Sequence, residues 1–355
     1  MKNHFPNSTA TVRLETAIEN INKIKNILPN QKILAVVKCN AYSHGAVGVS
    51  RAIEDHVDYF AVTNVDEGIE LRMNGIKKPI LVYGVPTYET AAAYVTHQLT
   101  ATVSNETHFS ILMDGTSYHI NFDTGMGRLG FYPEQAEDVR KLAVANQRLI
   151  CSGIYSHYAT AGDPGSKFVE EQNKIFKSVL NSFSEVPLVH MSNTGAATLY
   201  KNIDQFDMVR LGLGFLGYNS GNYRLDWLTP ILIWKTKISQ VREIKKGITV
   251  SYDCTWSCPE DGYIATLPAG YGDGVTRSLS NKLKVLINGK FYQQVGNITM
   301  GMTMIYLGKE KLPPGTDVVL LGGDAWNAHD WAEHGGTNVH EILTNISARV
   351  SVEQI

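Results

Sequence analysis

Short apolar runs alternate with helical patterns over about the first 210 residues, and this alternation restricts the fold most. Leu14, Ala17, Ile21, Ile24 and Leu28 recur at steps of three and four, which predicts an amphipathic helix. A buried strand over 33–37 follows. Further strands are expected over 59–62, 79–83, 101–103, 118–122, 149–155, 188–191 and 206–209. Helical patterns fall between them over 66–74, 88–97, 106–113, 133–144 and 193–200. Another helix is expected to open at Asp163-Pro164, a capping residue followed by proline. Eight strands alternating with helices are the pattern of a (β/α)8 barrel. The pattern alone leaves an open doubly wound sheet as the alternative, because alternation does not show closure.

From about Leu225 the helical period disappears. Residues 231–241 are β-rich, and strands are expected over 263–267, 317–321 and 346–350. Leu283, Val285 and Ile287 alternate into Asn288-Gly289, the strongest short hairpin signal. The expected organisation is a TIM-like barrel over 1–224 and a mostly β domain over 225–355. The 355 residues, 43% of them hydrophobic, can fill two such cores.

Charge excludes some partners. With a formal charge of −2 and 19% charged residues, the chain offers no basic field for nucleic acid or an anionic membrane. No stretch approaches the roughly 20 apolar residues that span a bilayer, and the N-terminus lacks a signal-like run, so a cytoplasmic protein is expected. Cys39, Cys151, Cys254 and Cys258 are too scattered for a disulfide scaffold. Cys254 and Cys258 lack a second zinc-binding pair and read as buried thiols. Asp324, His329, Asp330, Glu333, His334 and His340 fit no standard ligand spacing and read as polar loop, so no metal is expected.

Polar residues recur where the expected strands end, the end at which barrel enzymes carry their chemistry. Lys38 follows the first strand, Arg128 lies in the loop after the fifth, and His157 follows the sixth. Asn193-Thr194 follows the seventh and Arg210 the eighth. A lysine at the end of a buried strand loses hydration, which lowers its pKa and frees its amine to attack a carbonyl carbon. Gly212-Leu213-Gly214-Phe215-Leu216-Gly217 has dinucleotide-binding spacing, but turn formers follow instead of a helix. Its backbone N–H groups suit a single phosphate instead.

Ala35-Val36-Val37-Lys38-Cys39-Asn40-Ala41-Tyr42-Ser43-His44-Gly45 resembles the cofactor-lysine segment of the alanine racemase family. The likeness runs from about Leu14 to Val350. It implies a barrel-plus-β enzyme that binds pyridoxal 5'-phosphate, racemises an amino acid, and works as a homodimer with shared active sites. By resemblance Lys38 holds the cofactor and acts as one base, and Tyr252 of the other subunit is the opposite base. Arg210 matches the arginine on the pyridine nitrogen, and His157 its supporting histidine. Tyr42, Thr194, Gly212 and Leu213 match phosphate-binding positions, with Asn193 beside them. Arg128, Met300 and Tyr271 match substrate-binding positions, and Arg277 resembles a residue on the substrate's way in.

Three residues depart from the family pattern. Asn121 stands where many members have lysine, Gly301 where aspartate follows the methionine, and Ala348 where a tyrosine meets the phosphate and crowds the substrate. The lost tyrosine hydrogen bond is worth roughly 1.5–3 kcal/mol. A wider pocket, open to serine or larger amino acids, is therefore expected. A pyridoxal phosphate decarboxylase of the same architecture, or a non-catalytic pyridoxal phosphate-binding protein, is the competing reading. The decarboxylases pair the pyridine nitrogen with a carboxylate, where this chain has Arg210.

Overall fold

Eight parallel strands close into a barrel, β2 to β9 in chain order, in this computed structural model, which describes residues 7–183, 185, 188–221 and 223–355. One strand precedes them, β1 (Ser8–Val12). The barrel strands are β2 (Lys32–Val36), β3 (Tyr59–Val62), β4 (Ile80–Val82), β5 (Leu99–Val103), β6 (Ser117–Asn121), β7 (Ile150–Tyr155), β8 (Val189–Asn193) and β9 (Met208–Leu211). Closure is made by β2 against β9, with Ile33 opposite Val209 and Ala35 opposite Leu211. Ile33, Leu34, Ala35 and Val36 are all buried, as parallel strands covered on both faces require. The open-sheet alternative is thereby excluded.

One helix starts later than its sequence signal. Asp163-Pro164-Gly165 forms a turn closed by the Ser166 N–H on the Asp163 carbonyl at 3.2 Å. Gly165 has φ +90°, which no right-handed helix continues through, so the helix runs over Lys167–Leu180.

The chain divides into two compact units. One is Ala17–Ala41 with Ala46–Leu228, which holds the barrel, and the other combines the residues up to Thr16 with Tyr42–Gly45 and Thr229–Ile355. The second unit contains β1 and, in chain order, β10 (Leu232–Lys237), β11 (Gln240–Ile244), β12 (Gly262–Leu267), β13 (Lys284–Ile287), β14 (Lys290–Gln294), β15 (Thr303–Gly308), β16 (Asp317–Leu321) and β17 (Ser351–Gln354). These nine form one sheet in the order β11-β12-β15-β14-β13-β16-β10-β1-β17. β1 pairs antiparallel with β10 and parallel with β17. The β13–β14 hairpin turns through Asn288 and Gly289, both with positive φ, as the Asn-Gly signal requires.

Three expectations for this unit are corrected. The strand expected over 346–350 is a turn, in which Ser347 donates to the Asp273 carbonyl at 3.0 Å and Val350 donates back to Ser347 at 3.0 Å; the strand follows it. The acidic and histidine-rich stretch is not all loop. Asn327 caps a helix over Ala328–Gly335 and Asn338 caps another over Val339–Thr344, placing Trp331, Ile342 and Leu343 in the core. Of the two neighbouring thiols, Cys258 is buried beside Ile244, Val250, Ile264 and Val295, whereas Cys254 is exposed. Among the described residues no three His, Cys, Asp or Glu side chains gather as a metal site would need. No helix among them is long and apolar enough to cross a membrane.

Candidate active site

Strand β2 ends where Lys38 begins a helical turn over Lys38–Ser43 of unusual hand. Cys39, Asn40, Ala41, Tyr42 and Ser43 have φ of 52°, 53°, 50°, 53° and 65°, so the turn is left-handed. For L-residues this conformation costs about 1–2 kcal/mol each. The turn is held by its own hydrogen bonds and by anchors. Ala41 donates to the Val37 carbonyl at 2.9 Å, and Ala46 donates to Asn40 Oδ1 at 2.8 Å. Cys39 donates to Glu67 Oε1 at 2.6 Å. At its far end Ser43 Oγ donates to the Thr344 carbonyl at 3.3 Å, and Gln354 Nε2 donates to the carbonyls of His44 and Gly45, both at 2.8 Å. Cys39 is exposed, which makes it a direct test of the backbone. Cys39→Val should lower the urea midpoint by the equivalent of about 1 kcal/mol, since a β-branched residue tolerates positive φ worst. Cys39→Gly should raise it. Equal midpoints for the two variants would count against a left-handed turn.

Burial lowers the pKa of the Lys38 amine most; negative charge on Cys39 and on the Glu67 carboxylate works against this, and the Arg128 charge adds to it. The net direction is downward, toward an uncharged nucleophilic amine.

Arg210, on β9, is almost fully buried among neutral partners. Its Nη2 donates to the carbonyls of Ser156 at 2.8 Å and Met191 at 2.9 Å, and to His157 Nδ1 at 2.7 Å. Its Nη1 donates to His190 Nδ1 at 2.9 Å. An arginine has no lone pair to offer, so His190 must accept at Nδ1 and carry its proton on Nε2. That nitrogen donates to His119 Nδ1 at 2.9 Å, which leaves the His119 proton on Nε2. Burial and then Arg210 hold His119 down to about 3 and push His190 well below the usual histidine range, so both rings are neutral. Tyr155 stacks on His190 with ring centroids 4.9 Å apart and carries the guanidinium 5.5 Å from its own centroid. Sequence reading found Arg210 and His157 but missed His119, His190 and Tyr155, whose strand positions carry no spacing that marks them.

Arg128 sits in a loop that Asp123 and three glycines shape. Asp123 Oδ1 accepts from the backbone of Gly125 at 2.9 Å and of Gly127 at 3.1 Å. At Gly130, with φ +130°, a Cβ would lie 2.5 Å from the Asp123 nitrogen. Asn121 Nδ2 donates to the Leu129 carbonyl at 3.0 Å and so secures the same loop. Asn193 caps the helix Thr194–Leu199 by accepting from Ala196 at 3.0 Å. Thr194 Oγ1 accepts from the Gly214 N–H at 3.2 Å, which joins this segment to the Gly212-Leu213 loop. Lys38, Arg128, His157, Asn193, Thr194, Arg210, Gly212 and Leu213 therefore all belong to the barrel unit, on the last residues of its strands or in the segments that follow them.

Tyr42, Tyr252, Tyr271 and Met300 belong to the second unit. Tyr42 is buried, with its ring 5.9 Å from that of His340. Tyr252 is 70% exposed on a turn where Ser251, Asp253 and Cys254 have positive φ. Asn297 Nδ2 fixes that turn through the Tyr252 carbonyl at 3.0 Å and Asp253 Oδ2 at 2.9 Å. Met300 accepts from the Gly272 N–H at 2.8 Å, and Tyr271 donates its N–H to Thr299 at 3.0 Å. A Cβ on Gly301 would meet nothing within 4 Å, and Ala348 is exposed.

A closed barrel with a depressed amine and a buried arginine after its strands, followed by a mostly β unit, defines a barrel-plus-sheet enzyme. The family models for the N-terminal and C-terminal domains of alanine racemase match residues 12–220 and 231–354. The chain belongs to the alanine racemase family, whose members are isomerases dependent on pyridoxal phosphate. It is 36% identical to the alanine racemase of Streptococcus equi subsp. zooepidemicus over 372 aligned positions, covering 99% of this chain and 98% of that one. Among solved structures, alanine racemase from a D-cycloserine-producing Streptomyces lavendulae matches with a TM-score of 0.93 at 26% identity, over 99% of this chain and 98% of the other. Alanine racemase from Clostridium difficile matches with a TM-score of 0.91 at 31% identity, over 98% and 95%. These matches do not favour a decarboxylase or a non-catalytic binding protein.

Proposed function

We propose that this chain interconverts L- and D-alanine with pyridoxal phosphate, and that serine or a larger amino acid also enters its pocket. The observation that carries this reading is the setting of Arg210. Three of its four contacts share the two N–H groups of Nη2 and one uses Nη1, so these contacts leave the Nε N–H and the second Nη1 N–H for a further lone pair. A pyridine nitrogen supplies that lone pair, and Lys38 supplies the amine to which an aldehyde couples. The residues thus fit the cofactor.

When bound, pyridoxal phosphate provides the electron sink for a carbon losing its α-proton. Arg210 donates to the ring nitrogen and, being effectively never deprotonated, leaves it without a proton of its own. That keeps the electron sink weak and suppresses side reactions. His157 supports Arg210 in this role. Tyr42, Asn193, Thr194, Gly212 and Leu213 hold the phosphate. Arg128 and the Met300 backbone bind the substrate carboxylate, and Tyr271 lines the approach. Lys38 Nζ exchanges a proton on one face of the substrate carbon, and Tyr252 Oη of a partner subunit does so on the other. The barrel unit thus carries the cofactor lysine, and the mostly β unit gives its tyrosine to the second copy of a homodimer.

Gly301 and Ala348 put small residues where the family has larger ones, which admits larger side chains without strengthening binding of a methyl group. Purified enzyme loaded with pyridoxal phosphate should convert L-alanine to D-alanine and show slower, measurable conversion of L-serine or a larger amino acid. Ala348→Tyr should reduce kcat/KM for the larger substrate relative to alanine by about tenfold or more. Absence of D-alanine would overturn the function. An unchanged ratio would overturn the wider pocket alone.

A further inference from the structure

We propose that Glu67 is a positioning residue for Lys38: its carboxylate grips the peptide N–H immediately after the lysine and fixes the direction in which the side chain leaves β2. This rests on Lys38 being the cofactor lysine.

Glu67 lies in the first turn of the helix Val65–Met73, held there by its own N–H on Asn64 Oδ1 at 2.9 Å. Both carboxylate oxygens accept from backbone at the ends of neighbouring strands. Oε1 takes the Cys39 N–H, just past β2, at 2.6 Å, and Oε2 takes the Thr63 N–H, just past β3, at 2.7 Å. β2 and β3 are adjacent and parallel, with Val36 opposite Ala61 and the Val37 N–H on the Ala61 carbonyl at 2.9 Å. Cys39 is the first left-handed residue, so its N–H has turned off the strand ladder and its acceptor comes from a side chain. The carboxylate is therefore a clip across two strand ends, and Lys38 lies between its grip on Cys39 and the last ladder bond at Val37.

Two features make the carboxylate itself necessary. The two N–H groups are met by different oxygens, and a glutamine in the same pose would turn an NH2 donor toward one of them. The negative charge also favours the charged amine of Lys38, against burial and Arg128. Hydrogen bonds to an ionised group are shorter and about twice as strong as neutral ones, which suits an anchor for a strained turn.

The test uses holoenzyme loaded with pyridoxal phosphate. Borohydride reduction and peptide mapping come first, and a label on any lysine other than Lys38 would overturn the functional reading, whatever Glu67 does. With the label on Lys38, Glu67→Gln should release the cofactor about tenfold faster during dialysis, followed by visible absorbance. It should also change the visible circular dichroism of the bound cofactor, which reports its orientation. Asn327→Ala removes the cap of another helix, Ala328–Gly335, and leaves Glu67 and its own cap in place, so it should lower thermal stability with release and dichroism unchanged. Glu67→Asp keeps the charge on a shorter arm and should give an intermediate release rate; it carries the test if Glu67→Gln does not fold. Wild-type release and dichroism in the Glu67 variants, or equal effects from Asn327→Ala, would overturn the proposal.

Discussion

Lys38→Ala is expected to abolish racemisation and cofactor retention together, and activity should return when this chain is mixed with Tyr252→Phe. Alanine removes the only amine that strand β2 delivers at its end, and with it both the attachment point and one of the two bases. A positioned acid or base typically contributes 10²–10⁴-fold, and loss of attachment adds to that. Tyr252→Phe keeps the ring on the turn fixed by Asn297 and removes only the hydroxyl, so it should retain the cofactor while losing turnover. If each site combines Lys38 of one chain with Tyr252 of another, a heterodimer of the two variants has one intact site. Mixing should then recover up to about half of the activity per heterodimer. The measurement is D-alanine formation, with heterodimers verified by differently tagged chains. Retained activity in Lys38→Ala would sink the assignment of the lysine. Verified heterodimers without activity would sink the shared site.

Arg210→Ala is expected to destabilise the protein by about 3–5 kcal/mol, the scale of breaking a buried charged network. The guanidinium satisfies the carbonyls of Ser156 and Met191 and a nitrogen on each of His157 and His190. Truncation takes this donor from the buried Ser156 and Met191 carbonyls and from His190 Nδ1, and each buried acceptor left unmade costs about 1–3 kcal/mol before water enters. The order would also fail further along, because Arg210 dictates the tautomer of His190 and through it that of His119. Arg210→Lys keeps the charge but has no planar fork to reach four acceptors, so it should recover only part of the loss. Urea unfolding of the cofactor-free proteins measures both. A loss below about 1 kcal/mol for the alanine variant would show that the network is solvated instead of buried.

How much of this was legible in the sequence depends on which residues carry a periodic signal. Ile33–Val36 and the other barrel strands are continuous apolar runs, so their existence was readable, as was the Asn288-Gly289 hairpin. Closure was not, because the pairing of Ile33 with Val209 leaves no local trace. The positions after the strands were readable as a group, since Lys38, Arg128, His157 and Arg210 all follow an apolar run. The hand of the Lys38–Ser43 turn was hidden, because positive φ at Cys39, Ala41 and Tyr42 has no sequence period and those residues are ordinary in other settings. The helices at Ala328–Gly335 and Val339–Thr344 were missed although a signal existed. Asn327 with Asp330, and Asn338 with Glu341, are capping residues at the spacing of a helix start. Short helices with few apolar residues give too little periodicity to outweigh a run of polar ones.

The placement of β1 sets an order of assembly for the nascent chain. Ser8–Val12 emerges first, yet its partners are Leu232–Lys237 and Ser351–Gln354, encoded beyond the whole barrel. All the barrel strands, from Lys32 to Leu211, can pair before either partner has been made. During that interval β1 is an unpaired strand, the kind of edge that recruits other chains. Closing so long a loop adds only modest entropy, but such non-local pairing is slow to form. Synthesis that stalls after the barrel would thus leave a folded body trailing a sticky strand. The yield of native protein should accordingly depend on how well that strand is shielded until Ser351–Gln354 arrives.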